Sequence, residues 1–265
     1  MAGRIEGGAL RNNGSAVDEA SGRGSGRPAP SFITLEGIDG CGKSTQARLV
    51  AAALRHAGHD VLLLREPGGV KISEKIRALL LDPENAEMSD TCELLLYEAA
   101  RAQLVHEVIE PALSAGRLVV CDRFYDSTTA YQAFAGSVSR DAAAMANALA
   151  VGSTHPDLTL VLDIDPVRAA ARTTDRSADR MEAKGLAYQE RVATGFRTIA
   201  REEPGRVRLV DAAPGVETVF ACLLAEVCRA GLSVPAAAAR AALFELEDEA
   251  APFGPAGNAS GGKGV

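Results

Sequence analysis

Gly37, Gly42, Lys43 and Ser44 stand at the spacing G-x-x-x-x-G-K-S, with Ile38, Asp39, Gly40 and Cys41 enclosed and Thr45 directly after. Glycines let the backbone curl so that several N–H groups and the next helix N-terminus converge on one anion, while Lys43 can span the β and γ phosphates. Ser44, in the first helical turn, is the expected hydroxyl on the Mg²⁺ side of such a loop. The apolar run 32–35 ahead of it reads as a buried strand and 46–54 behind it as a helix, the setting this chemistry requires. Residues 37–45 are therefore expected to bind a nucleoside triphosphate.

Further candidates sit where other apolar runs end. Arg65-Glu66-Pro67-Gly68-Gly69 follows the run 61–64, and Asp122-Arg123-Phe124-Tyr125-Asp126-Ser127 follows 118–121. An acid directly after a strand suits the waters of Mg²⁺ or of a phosphate, which makes Asp122 a metal candidate. Arg123 supplies a planar fork for a second phosphate. On local sequence alone, Asp122 and Arg123 could be an ion pair capping a helix and Glu66 a turn carboxylate; their joint placement beside the phosphate loop favours chemistry. Tyr97 and Arg101 lie four apart on a helical stretch and share a face: a ring for stacking on a base and a fork for its carbonyl or a phosphate. Thr128, Tyr131 and Gln132 add a hydroxyl, a phenol and a carboxamide suited to the edge of a base or sugar. Arg168, Arg172, Arg176 and Arg180 recur at every fourth residue. Arg168 reads as solvated helix face, whereas Arg172, Arg176 or Arg180 could close over transferring phosphates.

Positioning these residues calls for a layered scaffold. Apolar runs at 32–35, 61–64, 118–121, 158–162 and 207–210 read as strands, and 91–115, the stretch from Pro166, 188–201 and 217–230 as helices. Such an alternation implies a doubly wound α/β fold, a parallel five-stranded sheet flanked by helices, with a short lid at about 172–186. Residues 1–31 are expected to be a disordered tail, 32–235 one domain, and 236–265 a low-complexity tail with at most a loose helix over 236–246. With 47% hydrophobic residues among 265, the chain can bury one substantial core. A formal net charge of -7 speaks against a nucleic-acid partner, and no apolar stretch is long enough for a membrane. Five scattered cysteines and four histidines in no metal-binding pattern argue against zinc and a disulfide framework, so a reducing, cytoplasmic setting is expected.

These motifs resemble those of the bacterial thymidylate kinases over roughly residues 32–230. The carriers are residues 35–45, Arg65-Glu66-Pro67-Gly68-Gly69, Tyr97 with Ala99-Ala100-Arg101, Asp122-Arg123-Phe124 through Ala130-Tyr131-Gln132, the stretch 156–163, and Asp179-Arg180-Met181-Glu182. The resemblance implies ATP and dTMP as substrates, Mg²⁺, and a homodimer. It implies that Asp39, Glu66 and Pro67 lie near the acceptor phosphate and metal, and that Arg123 grips the dTMP phosphate. Tyr97 would stack on thymine and Arg101 meet its carbonyl, with Thr128, Tyr131 and Gln132 along base and sugar. Because Gly40 follows Asp39, the catalytic arginine is implied to sit in the lid as Arg172 or Arg176. The glycine-rich stretch usual after the Tyr-Gln pair is reduced here to Ala133-Phe134-Ala135-Gly136-Ser137.

Two other classes share the phosphate loop. A kinase for another nucleoside monophosphate or a deoxynucleoside is one, although the Glu-Arg-Ser element expected of deoxynucleoside kinases is missing. An ATP-hydrolysing regulator is the other, but the chain has neither an Asn-Lys-x-Asp guanine reader nor a Leu-Ser-Gly-Gly-Gln signature.

Overall fold

A computed structural model describes residues 29–172 and 180–248. The five apolar runs form strands β1 (Phe32–Glu36), β2 (Val61–Arg65), β3 (Leu118–Asp122), β4 (Leu158–Asp163) and β5 (Val207–Asp211). They pair in the order β2-β3-β1-β4-β5, and every pairing is parallel. Successive side chains of a strand point to opposite faces. In β3, Leu118 and Val120 accordingly enter one apolar core while Val119 and Cys121 enter the other. Both faces are covered, which is why these strands read as unbroken apolar runs.

The helices are α1 (Lys43–His56), α2 (Lys71–Leu81), α3 (Asp90–Leu104), α4 (Glu110–Ser114), α5 (Tyr125–Thr128), α6 (Arg140–Val151), α7 (Pro166–Ala170), α8 (Leu186–Glu202), α9 (Val216–Arg229) and α10 (Ala236–Asp248). The helix expected over 91–115 is interrupted. Pro111 has no N–H for the carbonyl four residues back, and the ladder widens to a π turn at Val105–Ile109, where the Glu110 N–H reaches the Val105 carbonyl. A second π segment, Thr129–Ala135, continues α5 and packs against α8. A Cβ on Gly195 of α8 would stand 2.9 Å from Phe134 Cβ, so glycine lets these two elements approach.

The domain does not stop at residue 235, where the sequence placed its end. α10 lies along α1, with Ala238 and Ala242 buried and Leu243 and Leu246 packed on the core. His56 Nε2 is 2.6 Å from Glu245 Oε1 across the same contact. Alanines four apart give a weak amphipathic signal, yet their small side chains let two helices come close.

The strands end in Glu36, Arg65, Asp122, Asp163 and Asp211. The carboxyl edge of the sheet, where ligands of such folds bind, is therefore charged throughout.

Candidate active site

A cavity of about 610 Å³ opens on that edge. Residues 39–46 line its middle, Glu66, Tyr97, Arg101, Arg123, Thr128, Tyr131 and Gln132 one end, and Arg172 with Ala212, Pro214 and Val216 the other. The phosphate loop leads from β1 into α1 as the sequence requires. Gly42 holds the helix N-cap at φ 96°. Gly37 has φ +138°, and a Cβ there would lie 2.6 Å from the Leu162 carbonyl oxygen, so both its shape and its neighbourhood demand glycine. Buried Lys43 folds over the loop, its Nζ donating to the Ile38 carbonyl at 2.8 Å and to Cys41 Sγ at 3.6 Å. Burial pushes the Cys41 thiol up.

Ser44 Oγ donates to Asp122 Oδ2 at 2.5 Å, while Asp122 Oδ1 is buried with no hydrogen-bond partner among the described residues. A hydroxyl beside a carboxylate with a spare oxygen is a hard-donor pair suited to Mg²⁺ that shares phosphate ligands. Among the described residues, no cluster of three or more His, Cys, Asp or Glu could hold a metal by itself. Asp39, also expected near the metal, is paired with Arg123. Its Oδ1 takes Arg123 Nη2 at 2.5 Å, and its Oδ2 takes Tyr131 OH at 3.1 Å and Gln189 Nε2 at 3.2 Å. Burial would raise the Asp39 carboxyl, but Arg123, Lys43 and those two hydrogen bonds outweigh it and hold it below the usual range.

Arg123 occupies the left-handed region at φ 72°, costly for a residue with a Cβ. The turn that holds it there is fastened by Glu36, whose Oε1 accepts the Phe124 N–H at 2.7 Å and whose Oε2 accepts Ser127 Oγ at 2.6 Å. Ser127 Oγ in turn accepts Arg123 Nη1 at 3.0 Å, and the guanidinium carbon lies 5.0 Å from the Tyr131 ring centroid. Burial, with Asp126 next, pushes Glu36 up to about 7 against the opposing pull of Arg123. No role is expected for Glu36 from the motifs above; the sequence signal for one is an acid closing an otherwise apolar strand.

Beyond Arg123, α3 brings Tyr97 and Arg101 to the cavity together, as their spacing implied. Arg101 is buried and anchored on two acids: Nε reaches Glu66 Oε2 at 2.8 Å, and Nη1 pairs with Glu98. Burial, partly offset by Arg101 and increased by Glu98, pushes Glu66 up to about 7. Glu66 thus holds the Arg101 guanidinium in place, with its Oε1 buried and unpartnered among the described residues. Burial, with Glu93 next, pushes the Tyr97 phenol up. Thr128 and Gln132 are buried in the cavity wall, tied respectively to Glu98 and Glu93.

The four spaced arginines separate. Arg168 is exposed, as read from its pattern. Arg172 donates to the Ala212 and Ala213 carbonyls at 3.1 and 3.2 Å and lines the cavity. Arg176 lies outside the described residues. Arg180, expected as a possible lid arginine, is buried and fully engaged: Nη1 is 2.6 Å from Glu93 Oε2 and Nε 2.7 Å from the Leu80 carbonyl. It anchors the end of α2 and is not among the residues that line the cavity.

The family model for thymidylate kinase matches residues 35–222. The chain is 51% identical over 193 residues to the thymidylate kinase of Geobacter sulfurreducens, covering 70% of this chain and 91% of that relative. It is 48% identical over 189 residues to that of Trichlorobacter lovleyi, covering 68% and 89%. The crystal structure of thymidylate kinase from Ehrlichia chaffeensis superposes with a TM-score of 0.63 at 30% identity, covering 76% of this chain and 99% of the other. The matched span holds the phosphate loop, the Arg123 turn and the pocket beyond it, and on that ground the chain belongs to the thymidylate kinase family.

Proposed function

We propose that the chain transfers the γ-phosphoryl group of ATP to dTMP, giving ADP and dTDP, and that Arg123 receives the acceptor phosphate. The observation that carries this reading is the position of Arg123, pinned by Asp39 and Tyr131 between the phosphate loop and the Tyr97–Arg101 pocket. A phosphate on Arg123 would face a γ-phosphate seated at Lys43, and a pyrimidine attached to it would extend toward Tyr97. One phosphate oxygen of dTMP forms the new bond to the γ-phosphorus while the bond to the bridging oxygen of ADP breaks. The acceptor is already an anion, so the protein's task is to orient two polyanions and compensate their charge.

Lys43 and Arg123 supply fixed positive charge from opposite sides. Ser44 and Asp122 are the residues that would hold Mg²⁺, which when bound neutralises phosphate oxygens. Pro214 and Val216 line the part of the cavity left for the ATP base, and Arg172 beside them, or Arg176, is the arginine that would stabilise the transferring phosphoryl group. Tyr131, whose hydroxyl donates to Asp39, is the candidate for the ring that would exclude a ribose 2′-hydroxyl.

A homodimer is part of the same reading. α3 packs between α2 and α6, and Ile72 and Leu79, Leu95, and Met145 and Leu149 on these three helices expose large apolar side chains. Such a run of exposed apolar residues marks an interaction surface. Among the described residues no helix is long and apolar enough to cross a membrane.

The test is a coupled ADP-release assay with ATP and each of dTMP, dUMP, dCMP, dGMP and thymidine. dTMP should be the preferred acceptor, with partial activity on dUMP because one methyl group supplies only roughly 1–3 kcal/mol. Preference for dGMP or thymidine, or ADP release independent of acceptor, would contradict the reading.

A further inference from the structure

Two acids on α3 hold the pocket's polar readers from behind. Glu98 Oε1 accepts the Thr128 hydroxyl at 2.9 Å and also pairs with Arg101 Nη1; Glu93 Oε1 accepts the Gln132 amide nitrogen at 2.9 Å. A carboxylate only accepts, so it dictates the polarity of whatever it binds. Thr128 has a single hydroxyl proton, and Glu98 takes it. The capacity left on Thr128 Oγ1 is acceptor capacity, part of which receives Arg101 Nη1 at 3.0 Å. Arg101 is confined in the opposite sense. Its Nε is spent on Glu66 and its Nη1 on Glu98, Thr128 and Asn147, leaving Nη2 with no hydrogen bond among the described residues. Thr128, Gln132 and Arg101 all line the cavity, and Glu98 does not.

We propose that Glu98 is a specificity-determining positioning residue: by consuming the Thr128 proton and fixing Arg101, it sets the pocket to read a ring N–H at pyrimidine position 3 beside a carbonyl at position 4. Thymine and uracil carry that pair. Cytosine carries its inverse, a ring-nitrogen acceptor beside an amino donor, and would set lone pair against lone pair at Thr128 and N–H against N–H at Arg101. Buried polar groups left facing like partners give a site its strongest discrimination. Gln132 is oriented by Glu93 through one amide N–H, which fixes where its amide oxygen points without setting the polarity of the pocket. The inference rests on the thymidylate reading of this site and adds to it the residue that sets base polarity.

Steady-state kinetics of the full chain and of Glu98→Gln with ATP and either dTMP or dCMP test it. A carboxamide can donate to Thr128 Oγ1 and free the hydroxyl proton toward the base. The dTMP-to-dCMP ratio of kcat/KM should contract roughly tenfold or more, mainly through a higher KM for dTMP, with the KM for ATP little changed. Glu98→Asp, which keeps an acceptor, should retain the preference. Thr128→Val, which keeps the shape without the hydroxyl, should contract the ratio as Glu98→Gln does and decides the matter if the glutamine variant does not fold. An equal loss on both nucleotides, or an unchanged ratio in either variant, overturns the proposal. Unmodified protein that phosphorylates neither nucleotide overturns the reading of the site itself.

Discussion

Arg123 Nη2 lies 2.5 Å from Asp39 Oδ1, so the guanidinium assigned to the acceptor phosphate is fastened to a carboxylate of the phosphate loop. The proposed donor and acceptor sites are thereby one hydrogen-bonded unit, with Tyr131 OH joined to both residues. Asp39→Asn keeps the side-chain volume and removes the charge. It should lower kcat/KM for dTMP roughly 10- to 100-fold by loosening Arg123, with a smaller effect on the KM for ATP. Unchanged dTMP kinetics would show that the pair does not position the arginine.

Glu36 gives the free protein a predictable pH dependence. Its carboxyl is raised in the folded state from 4.5 to about 7, so the fold binds this proton more tightly than the unfolded chain does. The contribution is fully present below about pH 4.5 and is lost as pH rises through about 7, on the order of 3 kcal/mol at most. Glu66, raised to about 7 as well, acts with the same sign. The melting temperature without nucleotides should therefore fall from pH 5.5 to pH 8, and Glu36→Gln should flatten that slope without abolishing it. A melting temperature that rises across this window, or a slope untouched by the substitution, contradicts the assignment.

Ending the chain after Pro235 removes α10 and uncovers the face of α1 against which Ala238 and Ala242 are buried. Because α1 begins at Lys43, the loss should reach the phosphate loop as well as the core. A melting temperature lower by on the order of 5 °C and a raised KM for ATP are expected. Equal stability with and without residues 236–265 would reduce α10 to an ornament of the fold.

The exposed apolar face of α2, α3 and α6 predicts self-association. Leu149 is 88% and Met145 70% exposed, one helical turn apart. In light scattering the chain should weigh twice its 27.5 kDa, and Leu149→Glu with Met145→Glu should shift it toward the monomer. A monomer at micromolar concentration before any substitution would refute this interface.

Much of the architecture was legible because its signals are local. A strand, a glycine turn and a helix lie consecutively at residues 32–56, and the charges that end strands β2 and β3 adjoin the runs that announce them. Tyr97 and Arg101 were legible for the same reason, being one turn apart. What escaped depends on partners distant along the chain. Glu98 meets Thr128 across 30 residues and Glu93 meets Gln132 across 39, and neither acid's own surroundings reveal which side chain it will face. Arg180 shows the converse. Its spacing from Arg172 suggested a shared role, yet burial and Glu93 give it a different one. The helix at 236–248 was undervalued because alanine contributes little periodic contrast while packing closely.

The most direct measurement is the steady-state kinetics of Arg123→Ala with both substrates varied. The kcat for dTMP phosphorylation should fall by roughly 10³-fold or more and the KM for dTMP should rise, with the KM for ATP within about threefold of the unsubstituted protein. Full turnover, or a defect confined to ATP binding, would contradict the central claim that Arg123 receives the acceptor phosphate.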